Sequence, residues 1–191
     1  IFGFFKVMVD GIDLETLNIQ DARRTFSVIT QDPILFAGSI RGNMDPFTKL
    51  EDYEIWNALE DVQIKQWVQL LPGQLQYRLT ESGSNLSAGE RQLLCLARVL
   101  LQKNKIVILD EVAANVDFKT DRLIQEVIRT KLKDVTVLTI AHRLETIIDY
   151  DRVMVIDQGR VIEFDKPGAL LNNRGSYFAE LMKSYNGTVA S

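Results

Sequence analysis

The amino-acid sequence predicts an α/β fold that is built around a parallel sheet. An uninterrupted apolar run at residues 106–109 is typical of a parallel strand that is buried on both faces. Similar runs at residues 26–30 and 135–140 predict two further buried strands. Between the runs at 106–109 and 135–140, apolar residues recur at helical spacing along residues 120–132, which indicates an amphipathic helix.

Two adjacent carboxylates, Asp110 and Glu111, follow the apolar run at 106–109 directly. Ligands of an open parallel sheet bind outside the carboxyl ends of its strands, so both side chains are expected at the mouth of a site. Neighbouring carboxylates at the edge of a core are costly unless a cation or a proton offsets them. One interpretation is that Asp110 holds Mg²⁺, usually through water, and that Glu111 polarises an attacking water. The alternative is a strand that ends in solvated acids.

The other elements follow from turn residues and periodicity. They are a strand at 6–9 before a turn, a short turn or helix within 14–24, helical spacing along 51–71 closed by Pro72-Gly73, an antiparallel hairpin within 152–163, and a terminal helix at 176–183.

Residues Ser87, Ala88, Gly89 and Glu90 open another helical run. Ser87 and Glu90 have the spacing of a capping box, in which each side chain bonds the backbone N–H of the other residue. The same geometry has a second interpretation, because a helix N-terminus beside a small glycine backbone is an anion site.

Composition limits the classes of function. The length of 191 residues with 46% hydrophobic residues suits one domain with a core. A formal net charge of −4 argues against a nucleic-acid surface. The single cysteine, Cys95, excludes an internal disulfide and a cysteine zinc site, and its apolar helical run predicts a buried, inert thiol. No apolar run reaches the ~18 residues that a membrane span needs.

Five segments, in this order and at these spacings, resemble the nucleotide-binding domain of ABC transporters. They match the family's Q-loop, signature, Walker B, D-loop and H-loop, at residues 30–33, 85–92, 105–111, 114–117 and 141–143 respectively. Residues 39–46 and 91–98 further resemble the second nucleotide-binding domain of the multidrug-resistance-associated (C) subfamily.

The resemblance implies one partial ABC ATPase domain over residues 1–191, with a P-loop NTPase-like core. Residues 1–44 and 96–191 would form the nucleotide-binding core, and residues 45–95 the inserted helical subdomain with the signature. The sequence contains no Gly-x-x-x-x-Gly-Lys-Ser/Thr phosphate-binding loop. In the family this loop precedes the segment that matches residues 7–11, so an N-terminal truncation is expected.

The resemblance also implies roles for single residues. Asp110 would organise Mg²⁺, and Glu111 would orient and deprotonate water. Gln31 would contact Mg²⁺ and water and relay the nucleotide state, His142 would sense the γ-phosphate of ATP, and Asp117 would couple the two sites of a dimer.

The serine and glycine of the signature, Ser87 and Gly89 in this chain, would contact the γ-phosphate of a nucleotide that is bound to the partner domain. The chain departs from the family's Leu-Ser-Gly-Gly-Gln at Ala88 and Glu90. Ala88 is small and tolerable, whereas Glu90 completes the capping box but brings a negative charge towards a phosphate.

The function implied is ATP binding and hydrolysis coupled to transmembrane transport. The implied partners are a second nucleotide-binding domain in a head-to-tail dimer and the transporter's transmembrane domains, at the cytoplasmic face of a membrane, with no nucleic acid. Since the phosphate-binding loop is missing, an alternative is a truncated, non-catalytic fragment that acts only as a dimerisation or interaction module. A soluble ABC ATPase without membrane domains is a third alternative, against which the match to the C subfamily argues.

Overall fold

A computed structural model describes residues 7–113, 115–141 and 143–189 of the chain, of which residues 186–189 are described by their backbone alone. The chain divides into two compact units, Ile1–Ile140 (unit 1) and Ala141–Ser191 (unit 2). Within the described part, no helix is both long enough and apolar enough to cross a membrane.

The strands are short and are numbered in chain order. They are β1 (Met8–Val9), β2 (Ile12–Asp13), β3 (Phe26–Ile29), β4 (Gly38–Ser39), β5 (Arg78–Leu79), β6 (Ile106–Asp110), β7 (Thr136–Ile140), β8 (Val153–Asp157) and β9 (Arg160–Asp165).

The helices lie between these strands and after them. They are α1 (Ile19–Thr25), α2 (Ile40–Met44), α3 (Asp52–Asp61), α4 (Lys65–Leu70), α5 (Ala88–Gln102), α6 (Phe118–Lys131), α7 (Pro167–Asn172) and α8 (Tyr177–Val189). Short 3₁₀ turns lie at Leu14–Thr16, Gln74–Gln76, Glu81–Gly83 and Leu144–Ile147.

The predicted parallel sheet is confirmed in unit 1. Strands β3, β6 and β7 pair in the order β3–β6–β7, and both pairings are parallel. Ile29 of β3 lies opposite Leu109 of β6, so the carboxyl ends of the two strands lie at the same edge. Ile29, Val107 and Leu109 are buried in the main core, which also contains apolar residues of α5 and α6.

The expectation that β3 and β7 are buried strands is wrong for one face of the sheet. Val28 and Leu138 are 55% exposed and Ile140 is 57% exposed. Val28 and Leu138 both lie opposite Ile108, so they share the face turned away from Val107 and Leu109. The core residues of α5 and α6 cover only the Leu109 face, and an apolar run by itself does not reveal what covers each face.

The helical spacing along residues 51–71 corresponds to two helices, α3 and α4, rather than one. Gln63 lies between them with a φ of 59°, in the left-handed region that interrupts a helix. α4 ends at Leu70, and Gly73 then adopts a φ of 79°. The predicted stop at Pro72-Gly73 is therefore confirmed. The break at Gln63 was not predicted, because no glycine or proline lies between α3 and α4.

Helix α5 runs through the core of unit 1. Leu94, Leu96 and Ala97 are almost completely buried, and Cys95 is 3% exposed. Burial raises the pKa of the Cys95 thiol despite the nearby Arg98 guanidinium, which acts in the opposite direction. The predicted burial of the thiol is confirmed, and the raised pKa agrees with the prediction that it is inert.

Unit 2 contains the predicted hairpin, with β8 and β9 antiparallel. Gln158 and Gly159 form its turn with φ values of 46° and 75°, as a two-residue hairpin turn requires. The predicted terminal helix is present as α8, whereas α7, which begins with Pro167 at its first position, is an additional helix.

Glu163 of β9 caps the terminal helix α8. Its carboxylate accepts hydrogen bonds from Tyr177 N–H (2.7 Å), Phe178 N–H (3.0 Å) and the Ser176 hydroxyl (3.0 Å). Partial desolvation raises the pKa of Glu163, but these three hydrogen bonds outweigh it and lower the pKa. The hairpin and α8 are therefore joined through a charged cap.

Candidate functional site

Asp110 and Glu111 lie where β6 ends. Asp110 is the last residue of the strand, and both residues are partly buried. Glu111 adopts a φ of 50°, a left-handed conformation that costs a non-glycine residue about 1 kcal/mol or more. Its N–H donates to the Ile140 carbonyl (3.0 Å) at the end of β7, which holds the turn in place. Such strain persists where surrounding structure enforces it, and it concentrates at functional sites.

Gln31 lies two residues beyond the end of β3 and is exposed. Since β3 and β6 are parallel neighbours, Gln31 follows its strand at the same edge of the sheet where Asp110 ends β6. Its backbone carbonyl accepts a hydrogen bond from Gln92 Nε2 of α5 (3.0 Å). The sheet topology thus brings Gln31 and Asp110 to one edge, as expected at the carboxyl ends of parallel strands.

The predicted site residue His142 lies outside the described residues. It stands two positions after Ile140, the last residue of β7, and Ile140 lies opposite Asp110 in the sheet. Its role therefore stays a prediction.

The capping box at the N-terminus of α5 is confirmed. The Glu90 N–H donates to Ser87 Oγ (3.2 Å), and the Ser87 N–H donates to Glu90 Oε2 (2.7 Å). Ser87 is exposed, Ala88 is partly buried and Gly89 is buried. The Ser87 hydroxyl accepts within the box and can still donate its own proton to an acceptor in front of the helix. The Glu90 carboxylate lies at the same helix end, where it accepts the hydrogen bond from the Ser87 N–H.

Asp117 caps helix α6. Its Oδ1 accepts from the N–H groups of Lys119 (3.0 Å) and Thr120 (3.1 Å), and its Oδ2 accepts from the Thr120 hydroxyl (2.6 Å). The Thr120 hydroxyl bond is the main cause of a lowered pKa of Asp117. Sequence reasoning missed the cap, although an aspartate directly before an amphipathic helix is an ordinary start signal.

The N-terminal turns of α5 and α6 touch through Gly89 and Thr120. A Cβ added at Gly89 would lie 2.9 Å from Thr120 Cγ2 and 3.0 Å from Thr120 Oγ1. Thr120 in turn bonds Asp117. The fold therefore brings the predicted residues Ser87, Gly89 and Asp117 into one region, with Thr120 between the two helices. Nothing in the sequence identified Thr120, because the contact depends on how the helices pack.

Replacing Gly89 by alanine is expected to destabilise the chain by about 1–3 kcal/mol, because the added methyl group overpacks against Thr120. The better helix propensity of alanine offsets part of this cost. Equilibrium urea unfolding measures the change. In a Thr120→Ala background the same substitution should cost less, since the clashing atoms are gone.

Gly168→Ala is the matched control, because a Cβ at this helical glycine meets nothing within 4 Å. It should leave stability unchanged or raise it. Equal effects of Gly89→Ala and Gly168→Ala, or no relief from Thr120→Ala, would contradict the packing contact.

Comparison with known protein families matches residues 6–114 to the ABC transporter family. Among curated proteins, the chain is 51% identical over 178 residues to ATP-binding cassette sub-family C member 4 of Homo sapiens. It is 49% identical over 173 residues to ATP-binding cassette sub-family C member 2 of Rattus norvegicus. These matches cover 93% and 91% of the chain but only 13% and 11% of the two relatives, so the chain spans a small part of their length.

The fold also matches a solved structure of a bacterial Atm1-family ABC exporter with ATP bound. The TM-score is 0.87 and the sequence identity is 28%, and the match covers 95% of this chain and 32% of the exporter chain.

Proposed function

The chain belongs to the ABC transporter family and is part of an ATP-binding domain of that family, and on this premise we propose how it works. Asp110 and Glu111 promote the hydrolysis of ATP, for which Asp110 would hold Mg²⁺, and the hydrolysis drives transport through transmembrane domains outside this chain. The chain acts at the cytoplasmic face of a membrane and pairs head-to-tail with a second nucleotide-binding domain.

The observation that carries the proposal is the strained Glu111 directly after Asp110 at the carboxyl end of β6. In phosphoryl transfer the protein mainly positions groups and stabilises charge. A backbone turn that is fixed by Ile140 is suited to such positioning, since it aims the carboxylate without further rearrangement. Glu111 therefore orients and deprotonates the attacking water, and Asp110 would hold the metal ion. Gln31 would contact the metal ion and the water, and His142 would sense the γ-phosphate.

The residues present fit Mg²⁺. This ion prefers oxygen ligands and usually takes one or two carboxylates with waters and substrate phosphates, rather than a cage of protein ligands. Asp110 supplies such a carboxylate, and Gln31 supplies an amide oxygen at the same edge of the sheet. When bound, Mg²⁺ would neutralise charge on the phosphates.

The N-terminus of α5 serves the nucleotide of the partner domain. Ser87 and Gly89, with Ala88 and Glu90 beside them, present this helix end to the γ-phosphate held by the partner. Asp117 couples the two sites, and its position at the adjoining end of α6 supports this role.

The division into a nucleotide-binding core, residues 1–44 and 96–191, and a helical subdomain, residues 45–95, belongs to the same proposal. Helices α3 and α4 within 45–95 support it. Near Gln31, the large apolar side chains Ile34 and Phe36 are 57% and 66% exposed. Exposed apolar side chains of this kind support docking of transmembrane domains beside Gln31.

The 191-residue chain by itself is expected to bind ATP–Mg²⁺ negligibly. Without the phosphate-binding loop it lacks the backbone N–H groups and the lysine that cradle the phosphates. Titration calorimetry of the purified chain should detect no sub-millimolar binding. A longer polypeptide with a phosphate-binding loop upstream should bind and hydrolyse ATP.

Tight binding by the 191-residue chain would contradict this expectation. Absence of hydrolysis by the longer polypeptide would favour the alternative, a non-catalytic interaction module. The close likeness to ATP-binding cassette sub-family C relatives over more than 90% of the chain argues for the catalytic function.

A further inference from the structure

We propose that Gln92 is a positioning residue that holds Gln31 in register with the N-terminus of α5, so that the Ser87 end of this helix and Gln31 move together. The proposal rests on the proposed function. Gln92 touches neither nucleotide nor metal and acts through Gln31.

Gln92 is linked to Gln31 by a hydrogen bond across 61 positions of sequence. Its Nε2 donates to the Gln31 carbonyl at 3.0 Å, and its side chain is only 5% exposed. Gln92 lies five residues after Ser87, the N-cap of α5, which is a rise of about 7.5 Å along the helix. A short piece of rigid helix therefore separates the capping box from the bond to Gln31.

The surroundings of Gln92 favour an apolar side chain. Gln92 adjoins a small apolar cavity that is also lined by Ile29, Leu96, Leu109, Ile124 and Ile128. Its Oε1 is buried and has no hydrogen-bond partner among the described residues. A buried, unpaired amide oxygen destabilises a fold, so packing alone gives no reason for an amide at this position. The reason for an amide at this position is therefore the hydrogen bond that Nε2 donates to the Gln31 carbonyl.

Two more side chains hold the segment that follows Gln31. Arg98 of α5 donates from Nη2 to the Ile34 carbonyl (2.8 Å). Asn43 of α2 accepts from the Phe36 N–H (2.8 Å) and donates to the Phe36 carbonyl (2.8 Å). Helix α5 thus binds residues 31–36 at two carbonyls, and α2 binds the far end of the segment.

This arrangement links three proposed functions. Ser87 at one end of α5 faces the partner's nucleotide, Gln31 lies at the sheet edge beside Asp110, and Ile34 is exposed where transmembrane domains would dock. Because α5 is a continuous helix, displacement of its first turn is passed to Gln31 by Gln92 and to Ile34 by Arg98.

The test is Gln92→Met in the full-length transporter that carries this chain. Methionine has a similar length and no polar amide, so the melting temperature should stay the same or rise. The ATPase kcat should fall about tenfold to a hundredfold, because a misplacement of about 1 Å can cost about a hundredfold. KM for ATP should stay within about twofold, since Gln92 does not bind the nucleotide.

Gln102→Met is the matched control, because Gln102 is the same residue type on the same helix. Its Oε1 accepts from the Ser27 hydroxyl on β3 (2.6 Å), and Ser27 is 1% exposed. Here the melting temperature should fall, because a buried hydroxyl loses a partner, and kcat should stay within about twofold.

A double substitution separates positioning from packing. If Gln92 acts through Gln31, Gln92→Met should lower kcat no further in a Gln31→Ala background. A lower melting temperature with unchanged kcat, failure of Gln92→Met to fold, or additive losses in the double variant would overturn the proposal. A Glu111→Gln variant that keeps the parent turnover would instead overturn the proposed function.

Discussion

Glu111→Gln in an intact transporter that carries this chain is expected to lower ATP turnover by about 10²–10⁴-fold, the usual contribution of a positioned general base. Glutamine has nearly the same shape, so the turn after β6 and the binding of ATP should be retained. Steady-state hydrolysis gives the turnover, and binding of a fluorescent ATP analogue gives the affinity. We expect this loss at Glu111 and not at other glutamates, because the strained turn fixes the Glu111 carboxylate relative to Asp110.

Glu126→Gln is the matched control. Glu126 is an exposed glutamate of unit 1 within α6, and its backbone carbonyl accepts a hydrogen bond from the Thr130 hydroxyl. This variant should hydrolyse ATP at close to the parent rate. If Glu111→Gln also does so, Glu111 is not the general base.

Ser87→Ala is expected to weaken ATP-dependent pairing of this chain with an intact partner domain by about tenfold or more. A hydrogen bond to a charged group contributes roughly 1.5–3 kcal/mol, and a phosphate held by the partner would lose this bond. In the proposed head-to-tail pair the phosphate would be buried between the two domains, so ATP would favour the associated state by mass action. Analytical ultracentrifugation of the chain with a hydrolysis-deficient partner, with and without ATP, measures the effect.

Ser87→Ala can weaken the pairing for a second reason, because it also removes the helix cap, and removal of a serine cap costs a helix about 1 kcal/mol. Ser87→Asp separates the two causes, because aspartate caps a helix about as well as serine, whereas its carboxylate only accepts hydrogen bonds and cannot donate one to a phosphate. It should keep the melting temperature of the chain while pairing still falls. Pairing that ignores ATP, or that is unchanged by Ser87→Ala, would mean that Ser87 is only a helix cap.

Glu90→Gln should act in the opposite direction and strengthen the pairing. Its side-chain oxygen can still accept from the Ser87 N–H, so the box is retained while the negative charge beside the phosphate is removed. Weaker pairing of Glu90→Gln would contradict the charge argument.

Elements that depend on neighbouring residues could be predicted from the sequence. The strand at 106–109, the capping box at Ser87, the stop at Gly73 and the hairpin of unit 2 rest on periodicity, caps and turn residues within a few positions. Each of these predictions is confirmed. The exceptions, such as the break at Gln63 and the added helix α7, have weak local signals.

The sequence by itself therefore determined the family, the parallel sheet and the chemical types of the candidate site: carboxylates at a strand end and a small residue at a helix start. The tertiary structure alone decided the left-handed backbone of Glu111, the contact of Gly89 with Thr120 and the bond from Gln92 to Gln31. It also decided which face of the sheet is covered. The physical reason is that these features join residues far apart in sequence, and their geometry is set by how α5 and α6 pack on β6 rather than by any local pattern.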